Sequence, residues 1–226
     1  MEIIVPAAGL STRFPNMKPK YILESNDGNL MIEKSVKPYI KNYNITIGIL
    51  KNHEDKYQIK KILTDKFSNK INIIVLNRET NGPAETVYQI LNHSNIKLND
   101  EIFIKDCDSF FNHVDTVGNY ICVTKSSELI KNLKSKSFTV SDDLGFVSKI
   151  QEKKVVSNKF SVGGYKFSSG HLFTNAYEKI KEKKSEIFVS DIINICIEEG
   201  IIFKENYVEN YIDVGTLEEW SQYNSL

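Results

Sequence analysis

The sequence predicts an α/β domain in three layers, with a mainly parallel, mixed central sheet and helices on both of its faces. Three observations carry this. Short apolar runs of strand length alternate four times with helical patterns over residues 3–105, joined by short connections, a pattern that favours parallel strands with crossover helices. The loops at 7–20, 77–82 and 106–111 each follow such a run, so all three belong on the edge of the sheet beyond the carboxyl ends of its strands, where ligands bind in this class. The length of 226 residues and the hydrophobic share of 41% suit one sizeable core. No linker or internal repeat interrupts the chain, so a single domain over 1–226 is expected, with a first half of about 1–112 and a second of about 113–226.

The elements follow in order. Ile3-Ile4-Val5 is a buried strand that stops at Pro6. An amphipathic helix runs from Leu30 to about Lys41, with Asn29 as its cap and Glu33 in its first turn. Ile45–Leu50 is a strand, and His53–Phe67 one helix with Ile59, Ile62, Leu63 and Phe67 on its apolar face. Ile71–Leu76 is the third strand. Asn81-Gly82 is a turn into a helix that Pro83 opens and that carries Thr86, Val87, Ile90 and Leu91. Glu101–Lys105 is the fourth strand. In the second half, Tyr120–Thr124 is a strand, Ser137–Val140 and Gly145–Gln151 form a hairpin around Asp142-Asp143-Leu144, and Val162–Phe167 is a further strand. Helices are expected at Ser169–Lys181 and Ser190–Glu199, the latter closed by Gly200. A strand follows at Ile201–Val208, a short extended piece at Tyr211–Val214, and a last helix opens at Gly215-Thr216.

Composition narrows the function classes. With 29 basic and 29 acidic residues the net charge is zero, and nothing asks for nucleic acid or an anionic membrane as partner. No apolar run approaches the ~20 residues of a membrane span, and no secretory signal is visible at the start of the chain. Cys107, Cys122 and Cys196 are far apart and in apolar surroundings, so they read as free thiols of a reducing compartment, and the cytoplasm is the expected location. The four histidines are isolated. A homo-oligomer is neither demanded nor opposed.

Two stretches have the makings of a site. Ala7-Ala8-Gly9-Leu10-Ser11-Thr12-Arg13, followed by Lys18 and Lys20, suits an anion-binding loop: small residues admit a close approach, Gly9 can take φ > 0, and backbone N–H groups can converge on a charge. Arg13 offers a planar fork and Lys20 a mobile point charge. Asp106-Cys107-Asp108 follows the fourth strand. Two carboxylates at the end of a buried strand are costly unless paired or bound to a metal, and Mg²⁺ takes one or two carboxylates with phosphate oxygens and water.

The first loop, with Lys18-Pro19-Lys20 behind it, resembles the signature of the nucleotidyltransferases that activate sugar phosphates and related phosphorylated acceptors: a G-G-x-G-T-R-type loop followed by a P-K-P-like segment. Ala8 and Ser11 stand where sugar-phosphate members commonly carry glycine, and this form looks more like the cytidylyltransferase and molybdopterin-nucleotide branches. Asp108-Ser109-Phe110-Phe111 resembles the family's D-x-x-F, and Tyr211-Ile212-Asp213-Val214-Gly215-Thr216 its W-x-D-x-G-T. The resemblance implies a Rossmann-like nucleotidyltransferase fold, akin to GT-A glycosyltransferases, with Asp108 and Asp213 as ligands of Mg²⁺. Arg13 and Lys20 would be the catalytic cations, on the pyrophosphate and α-phosphate sides. Ala7, Ala8 and Gly9 would hold the nucleotide, as would Gly82 and Glu85 of the G-x-A-[QE]-like segment, while Asp106 falls either behind the metal or on the ribose. Lys153 of the E-K element would steady the acceptor phosphate, and Gly164 and Tyr165 of an N-x-G-x-Y-like strand would line the acceptor site. Val162 stands where many sugar-specific members carry Asn. The partners implied are a nucleoside triphosphate, CTP favoured, and a phosphorylated small molecule. Two other readings stay open: a GT-A glycosyltransferase using Asp106 and Asp108, and a non-catalytic nucleotide sensor.

Overall fold

The structure is a computed structural model and describes residues 1–68, 70–126 and 132–225. In chain order the strands are β1 (Glu2–Pro6), β2 (Asn44–Leu50), β3 (Ile71–Leu76), β4 (Ile102–Lys105), β5 (Ser109–Asn112), β6 (Asn119–Lys125), β7 (Ser137–Ser141), β8 (Val147–Glu152), β9 (Lys159–Phe167), β10 (Phe203–Tyr207) and β11 (Glu209–Asp213). The helices are α1 (Met31–Val36), α2 (Lys51–Tyr57), α3 (Ile59–Phe67), α4 (Pro83–His93), α5 (Gly170–Ile180), α6 (Val189–Glu198) and α7 (Leu217–Asn224). The main sheet runs β10-β6-β9-β4-β1-β2-β3, with the β7–β8 hairpin attached to β9. β1 lies parallel to β2 and β4, β2 to β3, and β6 to β10. β9 is antiparallel to both β4 and β6, so a strand of the second half is wedged into the sheet beside one of the first.

Successive side chains on a strand point to opposite faces, which makes three layers. Ile3 and Val5 join Ile45, Ile47 and Ile49 under α1 and α3, whereas Ile4, Ile102 and Ile104 meet α4, α5 and α6 on the other face. Both faces are covered, which is why these strands read as unbroken apolar runs. Gly48 lets α4 come close: a Cβ there would stand 2.6 Å from Ile90 Cδ1.

Several expected boundaries shift. The helix expected over His53–Phe67 is two helices, because Gln58 between them is left-handed at φ 53°. The apolar residues of the pattern, Ile59 to Phe67, all lie beyond the break, and the charged stretch before it gives no sign of where the first helix ends. α1 ends at Val36, and Asn29 does not cap it. Glu33 does so from within, its carboxylate accepting from the Leu30 N–H at 2.7 Å. Ser109–Phe111, expected as loop, is β5, which pairs antiparallel with β11 in a separate two-stranded ribbon. Phe110, Val214 and Trp220 anchor this ribbon on Phe14 and Met31 in a small apolar cluster of its own.

Candidate active site

The loop after β1 begins as an extension of the sheet, the Ala7 N–H donating to the Gly48 carbonyl at 2.9 Å. The left-handed residues of the loop are Ser11, at φ 56°, and Asn16, at φ 61°, and not Gly9. A Cβ on Gly9 would meet nothing within 4 Å, so the space above it is open. The Ser11 hydroxyl accepts from the Lys20 N–H at 3.0 Å, which ties the two ends of the loop together.

The β5–β11 ribbon brings the two distant carboxylates together. Asp213 is in register with Ser109, and the Val214 N–H donates to the Asp108 carbonyl at 3.0 Å. A Cβ on Gly215 would stand 3.1 Å from Asp108 Oδ2, 3.2 Å from Asp213 Oδ1 and 3.4 Å from Arg13 Nη1. Glycine therefore leaves open a point on which both acids and the arginine converge. Lys20 Nζ donates to Asp108 Oδ2 at 2.5 Å, with Arg13 Nη2 3.7 Å from the same oxygen. Lys136, to which the sequence reading assigned no role, donates to Asp213 Oδ2.

The electrostatics follow from burial and pairing. Burial pushes the Asp108 carboxyl up, but Lys20, Arg13 and Lys136 together outweigh it and hold the group well below the usual carboxylate range. For Lys20 the same balance raises the ammonium, Asp108 outweighing burial. Asp106 goes the other way, pushed up to about 7 by burial and then by the charge of Asp108, against Lys105 and Lys20. Burial pushes the Cys107 thiol up to about 12 and leaves it inert.

Beneath the acids lies a second feature that the sequence reading passed over. Lys105, the last residue of β4, is fully buried. Its ammonium donates to the Asp106 and Ser109 carbonyls at 2.7 and 2.6 Å and to the Ser109 and Ser35 hydroxyls at 2.9 and 3.0 Å. It clamps the turn that presents Asp108. A lysine at a strand end carries no local mark of such a role.

Ala7, Ala8, Gly9, Arg13 and Lys20 line one cleft of about 660 Å³ together with Gly82, Asp106, Asp108 and Asp213, and with Lys153 and Tyr165 from the second half. All three loops expected on one edge of the sheet border it. Two expected residues do not line it. Glu85 is buried and turned to its own loop, accepting from the Asn81 N–H at 2.6 Å and pairing with Arg78 at 2.5 Å. Gly164 packs inward, where a Cβ would stand 2.8 Å from Phe111 and 2.9 Å from the Cys122 sulfur. Close approach at these glycines serves the protein's own groups: at Gly163, φ +81°, a Cβ would fall 2.4 Å from Asp106 Oδ2. Gly82 is likewise demanded by the Ile187 carbonyl, 2.5 Å from where its Cβ would be. Lys153 is about half exposed, its ammonium 4.5 Å above the Phe188 ring and 4.0 Å from Glu186. The segment carrying Phe188 and Ser190 lines the second half of the cleft with Ser137 and Glu152, whose carboxylate accepts from both serine hydroxyls.

This sheet, with the cleft at its carboxyl edge, is the fold of the sugar-phosphate nucleotidyltransferases. The nucleoside-diphosphate-sugar pyrophosphorylase from Vibrio cholerae RC9 superposes with a TM-score of 0.85 at 22% identity, over 99% of this chain and 100% of that one. The inositol-1-phosphate CTP transferase from T. maritima gives 0.75 at 16% identity, over 96% and 90%. A UDP-glucose pyrophosphorylase complexed with UDP-glucose gives 0.74 at 16%, over 99% and 97%. The sequence matches no protein-family model and no curated protein.

Proposed function

We propose that the protein is a nucleotidyltransferase that moves a nucleoside monophosphate from a nucleoside triphosphate onto a phosphorylated small molecule and releases pyrophosphate. The observation that carries this reading is the convergence of Asp108 and Asp213, about 100 residues apart, beside Arg13 and Lys20. An oxygen of the acceptor phosphate attacks the α-phosphorus. The bond from that phosphorus to the bridging oxygen breaks, and pyrophosphate leaves with the electron pair. A phosphate monoester is already anionic near neutral pH, so no general base is needed. The reaction needs two anions held in line and the leaving-group charge stabilised. Arg13, exposed at the mouth, meets the pyrophosphate side, and Lys20, deeper, the α-phosphate. The first loop holds the triphosphate over Ala7, Ala8 and Gly9, and the base lies toward Gly82.

Asp108 and Asp213 fit a hard divalent cation such as Mg²⁺: both present carboxylate oxygens around the gap left by Gly215, and among the described residues no third acid, histidine or cysteine joins them. That leaves positions for phosphate oxygens and water. Bound there, Mg²⁺ supplies neutralisation of charge between the two anions. The Ala8/Ser11 form of the loop makes CTP the favoured donor, and the hydroxyls around Glu152 face the acceptor. A glycosyltransferase would leave Arg13 and Lys20 without a task. The three free, buried thiols suit a cytoplasmic setting, and among the described residues no helix is long and apolar enough to cross a membrane.

The test is a screen of the four triphosphates against sugar phosphates and other phosphorylated metabolites with Mg²⁺, read by pyrophosphate release. Release that depends on one acceptor is expected, with CTP the best donor. Binding of nucleotide without release across the panel would overturn the assignment in favour of a sensor.

A further inference from the structure

The second carboxylate already holds a cation of the chain's own. Lys136 stands between a short 3-10 turn and β7, and its ammonium donates to Asp213, both side chains being only 14% exposed. Its backbone is fixed on two sides: its N–H donates to the Leu133 carbonyl at 3.0 Å and its carbonyl accepts from the Lys153 N–H at 2.9 Å. The side chain is the free part, four carbons long. Lys20 makes the matching pair on Asp108 at 2.5 Å. Two carboxylates and three cations, Lys20, Lys136 and Arg13, thus gather around the Gly215 gap. A dication entering that gap would meet these like charges in a poorly solvated place, where such repulsion is strong. Lys153, in contrast, rests on Phe188 and Glu186, away from either acid.

We propose that Lys136 is a displaceable counter-ion: it holds Asp213 in the free protein, yields it to a divalent cation, and then turns to the phosphate of the acceptor in place of Lys153. This rests on the nucleotidyltransferase reading above. It makes Lys136 a positioning residue for the carboxylate and a specificity residue for an anionic acceptor. It also implies that the metal binds weakly until an anion is present to receive the lysine.

The experiment is a titration of the nucleotide-free, full-length protein with Mn²⁺, following free Mn²⁺ by electron paramagnetic resonance. Lys136→Gln should bind Mn²⁺ about tenfold more tightly than wild type, since a competing charge has gone, whereas Lys136→Arg should stay near wild type. Equal affinity in wild type and Lys136→Gln overturns the proposal. In turnover, Lys136→Gln should raise the acceptor KM about tenfold and leave that of the triphosphate within about threefold; an unchanged acceptor KM overturns the second step. Wild-type protein gives an independent reading if the variant does not fold. Acylation of the Lys136 amine, mapped by mass spectrometry, should rise severalfold on adding Mg²⁺, and constant labelling overturns the proposal. Normal pyrophosphate release beside unchanged Mn²⁺ affinity sinks this inference alone. Absence of release with every acceptor sinks the nucleotidyltransferase reading, while the titration still reports on Lys136.

Discussion

At the scale of single residues, the site is a balance of buried charges in which each member is tolerable only because of its partner. Asp108 is stabilised by Lys20, so deleting either leaves the other buried and unpaired, which is costly. The informative substitution is therefore Asp108→Asn, which keeps an acceptor for Lys20 and removes the charge. Pyrophosphate release should fall by on the order of 10²–10³, as should that of Lys20→Gln, which keeps a donor for Asp108, with unaltered circular dichroism. Near-normal turnover in both would remove the proposed chemistry. Lys105 makes a different prediction. Replacing it by Met keeps the volume but strips two hydroxyls and the Ser109 carbonyl of the lysine's hydrogen bonds, while the Asp106 carbonyl still accepts from the Ser35 hydroxyl at 2.7 Å. A loss of roughly 2–4 kcal/mol is expected in urea denaturation, along with slower turnover as the Asp106–Ser109 turn loosens. Asp108 was legible in the sequence because carboxylates directly after a buried strand demand an explanation, whereas Asp213, before a helix-capping Thr, stood out only through the resemblance of its segment to the W-x-D-x-G-T motif. Lys105 and Lys136 were not, since a lysine at a strand end is ordinary until its surroundings are known.

Among elements, β9 is where the site meets the scaffold. It is antiparallel between β4 and β6, and its register with β6 slips between Ile121 and Val123, opposite the glycine pair. Gly163 at φ +81° lets the strand pass the Asp106 carboxylate. Gly163→Ala should therefore cost about 2–3 kcal/mol, adding a steric clash to the backbone strain. Gly200→Ala is the matched control. Its φ is +82° but a Cβ would meet nothing within 4 Å, so it should cost only about 1 kcal/mol. Equal losses in thermal or urea unfolding would show that Asp106 is not what β9 accommodates. The ribbon of β5 and β11 makes the same point about pairing. Each is short, and neither has an apolar alternation of its own. What makes them a pair is the cluster of Phe110, Val214 and Trp220 beneath them.

For the whole molecule, stability responds to protons and to ligand. His113 lies stacked on Phe103 and bonds the Tyr39 and Tyr120 hydroxyls at 3.1 and 3.0 Å. Burial lowers its imidazole to about 4, with Asp115 opposing and Lys105 and Lys166 adding to the shift. Between pH 6.5 and 4 the unfolded chain thus binds the extra proton and the folded one does not. The contribution is complete above pH 6.5 and is lost as pH falls toward 4. A fall of several degrees in Tm from pH 7 to 4.5 is expected, with a shallower slope in His113→Asn over that window. Ligand acts oppositely. CTP with Mg²⁺ at about 100 times its Kd should stabilise the protein by ~2.7 kcal/mol. That gain should vanish in Asp108→Asn if the acid contributes to the nucleotide site.

By itself the sequence determined the layered α/β architecture, the three loops on one edge, and the identity of the acids and cations worth suspecting. These are written in local patterns: apolar runs of strand length, small residues at turns, and charges at the ends of buried segments. The tertiary structure alone decided who stands beside whom. It paired β5 with β11, set Lys136 on Asp213 and Lys105 under the Asp106–Ser109 turn, and turned Glu85 and Gly164 away from the cleft. Contacts of this kind join residues up to about 100 positions apart, and their worth depends on burial and distance, neither of which a residue's sequence neighbours encode.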